Sequence, residues 1–129
     1  MKINELKKEL ESKKCRSAWD KGVNEYALEL CEDLEETMQY NNEEEVPTSP
    51  KLLEKMLLNG ADSWEQYSWG GCSLIYNGDI AERLCNPSEF KKCREGERRP
   101  NSREEWLDCQ ARALYQACNR IKRIVANYN

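Results

Sequence analysis

Apolar side chains return every three or four residues over two long stretches of the chain. Between residues 17 and 38 they fall at Trp19, Val23, Tyr26, Leu30, Leu34 and Met38. That is one stripe on a 3.6-residue repeat, and it predicts a helix. Ser17 stands where an N-terminal cap belongs, and Glu25, Glu29, Glu32 and Glu36 repeat on the opposite side. Toward the end of the chain, Leu107, Ala111, Leu114, Cys118, Ile121, Val125 and Tyr128 step by four and three without a miss. Ser102 and Glu105 form a capping box ahead of them. A long helix over 103–127 is expected, with a seam that lies against another helix.

Shorter elements fill the middle. Residues 39–49, "QYNNEEEVPTS", break the pattern with an Asn pair, three Glu and Pro47, the composition of a mobile loop. Ser49 caps and Pro50 opens the helix "KLLEKMLL", which should stop at Asn59-Gly60. Ser63 with Gln66, Asp79 with Glu82, and Asn86-Pro87 with Glu89 each mark another start. The opening "MKINELKKELESKK" is amphipathic and mixed in charge, as a surface helix would be. The fold class expected is all-α. The chain should be a single compact multi-helix domain over 1–129, with five to seven helices and a long C-terminal one.

Composition sharpens that picture. A chain of 129 residues can bury roughly two-thirds of its unfolded surface, enough for one core. Only 39% of it is hydrophobic, so large side chains must fill that core, and four Trp and six Tyr supply them. Several gather in the stretch 63–85, where Trp64, Tyr67, Trp69 and Tyr76 flank the pair Gly70-Gly71. Two readings compete. The six residues Trp64, Tyr67, Trp69, Gly70, Gly71 and Tyr76 could form an interaction or ligand surface. The favoured reading makes the aromatics mortar wedged between the two long helices, with Trp69, Leu74, Ile80, Leu84, Leu107, Leu114 and Ile121 in one core.

Seven cysteines change little. Their number is odd, no C-x-x-C occurs, and the chain has no histidine, so neither a disulfide framework nor a zinc site is expected. Reduced thiols packed as small hydrophobes are the plainer reading. No apolar run exceeds three residues, so nothing spans a bilayer or makes a signal-peptide core, and a cytoplasmic location is expected.

The stretch from Trp69 to Cys118, "WGGCSLIYNGDIAERLCNPSEF" followed by "GERRPNSREEWLDCQARALYQAC", resembles a family of small uncharacterised proteins of gut Firmicutes, often encoded on phage-like or conjugative elements. The likeness is dense in the C-terminal half and loose in the N-terminal half. It implies a bacterial cytosol and an accessory gene on a mobile element. The family has no assigned activity, so it transfers no catalytic or cofactor residue.

The residues themselves offer little catalysis. Without histidine, Cys-His and Ser-His pairs are excluded within one chain. Cys93 lies beside Lys91, Lys92 and Arg94, which would favour its thiolate if exposed, but an inward-facing thiol is the plainer reading. Gly70-Gly71 belongs to no phosphate-loop motif. No catalytic residue, metal or cofactor is expected.

Charge is distributed more tellingly. Residues 22–50 carry nine acids and no base, whereas residues 91–129 carry ten bases and five acids. Arg98, Arg99, Arg103, Arg112, Arg120 and Arg123, with Lys122, form a candidate basic patch for phosphates, although the net charge of -4 opposes nucleic acid. Glu25, Glu29, Glu32 and Glu36 form a candidate acidic face. Its spacing of about 5–6 Å could imitate a phosphate row and block a DNA-binding enzyme. A solvated face is the simpler account of such a row. The leading expectation is a non-enzymatic interaction or regulatory protein whose partner is another protein. Behind it stand a nucleic-acid-linked role and a small-ligand binder or enzyme built on Trp64 to Tyr76. No membrane partner is expected, and the long seam leaves a homodimer open.

Overall fold

A computed structural model describes residues 1–59, 61, 63, 64 and 103–128. Among them are four helices and no strand: α1 (Ile3–Glu11), α2 (Ala18–Tyr40), α3 (Pro50–Leu58) and α4 (Arg103–Asn127). The all-α expectation holds. Of the residues expected to share one core, Leu114 and Ile121 are buried together. Trp69, Leu74, Ile80 and Leu84, and the side chain of Leu107, lie outside the described residues.

The first three helices start where local chemistry supplies a cap. Ser17 Oγ accepts the Asp20 amide at 3.0 Å and opens α2. Ser49 Oγ accepts the Leu52 amide ahead of α3, whose first residue is Pro50. At the start of α1 the Glu5 carboxylate accepts the backbone N–H of Lys2 at 2.9 Å. Asn59 ends α3 in the left-handed region at φ 50°, a conformation Asn tolerates better than most residues.

The apolar stripe of α2 is buried as its spacing requires, from Trp19 through Val23, Tyr26, Leu30 and Leu34 to Met38. The seam of α4 is buried at Ala111, Leu114, Cys118, Ile121 and Val125. Its last expected member departs from the pattern. Tyr128 is exposed, and its hydroxyl donates to Glu5 of α1 at 2.8 Å, because the helix ends at Asn127 and the ring swings toward a polar partner. Leu6 and Leu10 of α1, and Leu53, Leu57 and Leu58 of α3, complete the core.

The two long helices touch directly. Trp19 Nε1 of α2 donates to Gln116 Oε1 of α4 at 2.8 Å, and Arg120 of α4 donates to Asn24 Oδ1 of α2 at 3.2 Å. The segment 39–49, expected as a mobile loop, makes contacts to the rest of the fold. Val46 is buried and its amide donates to the Met1 carbonyl at 2.9 Å. The terminal ammonium of Met1 donates to Glu45 at 2.7 Å. Val46, the apolar residue that follows three glutamates, is buried against the core and anchors that segment.

Candidate functional site

The most deeply buried polar residue among those described is one that sequence reasoning passed over. Asn24 is only 7% exposed, on the face of α2 that meets both α1 and α4. Its Nδ2 donates to the Leu10 carbonyl at 2.9 Å, satisfying an acceptor at the open end of α1. Its Oδ1 accepts from Arg120. The same guanidinium donates to the Asp20 carbonyl at 3.2 Å and forms an ion pair with the Asp20 carboxylate. Three helices thus meet at one joint. Burial works against ionising Asp20, but the Arg120 hydrogen bond and charge outweigh it and hold the carboxyl below its usual range. Asp20 and Asn24 stand four apart, one turn along the helix. That spacing beside an apolar stripe was the available signal.

The joint changes the reading of the basic patch. Arg120 is spent on α2, and Lys122 lies 3.8 Å from Glu54 of α3. Arg112 and Arg123 are exposed, with Arg123 Nε donating to the Asn119 carbonyl at 3.4 Å. Arg98, Arg99 and the side chain of Arg103 lie outside the described residues. Two of the expected phosphate contacts therefore hold the bundle together.

The acidic face is uneven as well. Glu32 and Glu36 are exposed, whereas Glu25 and Glu29 are half-buried. Lys7 of α1 crosses to Glu32 at 3.1 Å and to Glu35 at 3.3 Å. Burial would lower the Lys7 pKa, but the two carboxylates win and raise it. A cation therefore interrupts the row at Glu32.

Of the aromatic group, Trp64 is buried at 6% exposure within the core. Tyr67, Trp69, Gly70, Gly71 and Tyr76 lie outside the described residues. The thiols Cys31 and Cys118 are buried, and burial first of all pushes each up to about 12, far from thiolate at neutral pH. Cys15 is half-exposed. Among the described residues no three His, Cys, Asp or Glu side chains converge on a point where a metal could sit. No described helix is long and apolar enough to cross a membrane.

Two surface features remain. On the outer side of α4, Arg112, Tyr115, Gln116 and Asn119 stand at i, i+3, i+4 and i+7, one face of a helix. Tyr115 is 51% exposed there. Between α1 and the last turns of α4 a groove of about 580 Å³ opens. Lys13, Arg120 and Arg123 line it with the carboxylate of Glu9, and Met1, Ile124 and Tyr128 add apolar surface.

No known protein family matches the chain, and neither does any curated protein or solved structure.

Proposed function

We propose that this protein is a non-enzymatic interaction or regulatory module of the bacterial cytosol, which binds a protein partner through the outer face of α4. The observation that carries the reading is Tyr115. It stands half out of a helix whose opposite side is locked into the core, with the exposed Arg112 one turn before it. Tyr and Arg are the side chains on which protein interfaces most often concentrate their affinity, since each offers area and a directional polar group. Other polar groups of the same helix are held within the chain: Arg120 by Asp20 and Asn24, and Gln116, at the edge of the outer face, by Trp19.

Affinity capture from the native cell tests this. Tyr115→Lys keeps an aliphatic stem and good helix propensity while removing the ring. Any protein held by the wild type should be lost from Tyr115→Lys and retained by Leu52→Lys, a change at an exposed apolar position on α3. Equal capture by all three would refute the assignment.

A further inference from the structure

We infer that the groove between α1 and α4 seats a second copy of this chain, in an antiparallel dimer in which the acidic end of each copy meets the basic end of the other. The groove mixes polar and apolar lining. At one end Met1 lines it, and beside Met1 lie Glu44 and Glu45, ion-paired to Lys2 and to the terminal ammonium. Glu43 and Glu44 are exposed next to them. Toward the other end stand Lys13, Arg120 and Arg123, three cations against the one carboxylate of Glu9. Lys2 and Lys13 bracket α1, so the ends lie about 16 Å apart at the helical rise per residue.

Opposite charges at the two ends of one surface satisfy a demand peculiar to a two-fold interface. The same patch must complement itself after rotation. Turned end for end, the Glu43-Glu44 corner of one copy reaches Lys13 and Arg123 of the other, and the reverse contact forms simultaneously. Parallel stacking would set like against like. Arg120 suits the role because Asp20 and Asn24 already fix its guanidinium, while its Nε–H has no acceptor among the described residues. An incoming carboxylate would find one donor oriented in advance, at little further cost in side-chain freedom.

An apolar contact is on hand as well. Tyr40 closes α2 beside the acidic corner and is 88% exposed, more than any other large hydrophobic among the described residues. In the antiparallel arrangement its ring covers Ile124, which is half-buried at the groove's basic end. The pair of copies carries a net charge opposed to association, so affinity rests on these local contacts, and charge reversal at either end should abolish it.

The test is sedimentation velocity on the full chain from 1 to 200 µM, with circular dichroism confirming helix content. Wild type should dimerise with concentration. Lys13→Glu/Arg123→Glu and Glu43→Lys/Glu44→Lys should each be monomeric, at least tenfold weaker in self-association. An equimolar mixture of the two variants should recover the dimer, because each heterologous end pair is then opposite in charge. Tyr40→Ala should weaken the wild-type dimer without changing helix content. A wild type that stays monomeric throughout overturns the inference. So does a dimer that survives both charge reversals, or folded variants whose mixture stays monomeric. Tyr115 lies outside this contact, so partner capture and dimer formation fail independently.

Discussion

Replacing Arg120 by methionine keeps most of the side chain's length and apolar stem while removing every hydrogen bond that the guanidinium donates at the three-helix joint. Two losses follow. The first is the ion pair with Asp20, whose side chains are 14% and 28% exposed. Breaking a fully buried pair costs about 3–5 kcal/mol and a surface pair about 0.2–1 kcal/mol. Partial burial sets this one near 2 kcal/mol. The second is the hydrogen bond to Asn24 Oδ1, on a residue 7% exposed. Stranding a buried acceptor costs at least about 1 kcal/mol. The sum is about 3 kcal/mol. For 129 residues, at about 2.1 cal/mol/K per residue, that lowers the melting temperature by roughly 10 °C. Urea unfolding followed at 222 nm measures it at pH 7. Asp20→Asn provides the companion arm, and the double variant should be more stable than the sum of the single losses implies, by about 1–2 kcal/mol. A loss below about 1 kcal/mol for Arg120→Met, or strict additivity with Asp20→Asn, would refute the account of the joint.

The remaining predictions concern acid, thiols, core and phosphate. Because Asp20 titrates below its unfolded value of about 3.9, its contribution is complete above that pH and disappears as pH falls through the folded value. The stability gap between wild type and Asp20→Asn should therefore be constant at neutral pH and narrow as pH falls below about 3.9; a gap unchanged throughout the acid range would contradict the pairing. Iodoacetamide at pH 8, read by peptide mass mapping of the native protein, should label Cys15 well ahead of Cys31 and Cys118; equal labelling would mean the buried thiols open readily. Leu114→Ala should cost about 2–5 kcal/mol in the same urea assay, since Leu114 is fully buried. Leu52→Ala, at an exposed position, should cost far less, and similar values would remove the distinction between core and surface. Finally, a low-salt gel shift with duplex DNA should show no complex at micromolar protein, given that Arg120 and Lys122 face carboxylates of their own chain.

Periodicity made the framework legible before any coordinates. The stripe on α2, the seam on α4 and the caps at Ser17 and Ser49 follow from short-range rules, since a 3.6-residue repeat has one buried side and an orphan amide needs an oxygen. What escaped were contacts between residues far apart in the chain. Arg120 and Asn24 stand ninety-six positions apart, and no local pattern says that a basic residue near the end serves a carboxamide near the beginning. The same holds for Lys7, which neutralises part of a row that looks purely acidic when α2 is read alone. Residues 39–49 make long-range contacts of the same kind. Their composition is that of a loop, yet one buried valine and the Met1 ammonium tie them down. Charge read along a chain gives only the supply of ions; the fold decides which are spent.

The account turns on α2 and α4 forming one frame, joined along the seam and at Asn24, on which the exposed surfaces are carried. Hydrogen exchange by NMR measures that directly. Amides of Tyr26, Leu30 and Leu34 in α2 and of Leu114, Ala117 and Ile121 in α4 should exchange slowest and together, with a free energy equal to that of global unfolding. If either helix opened well below that energy while the other stayed protected, the two would not be one unit, and the frame described here would be contradicted.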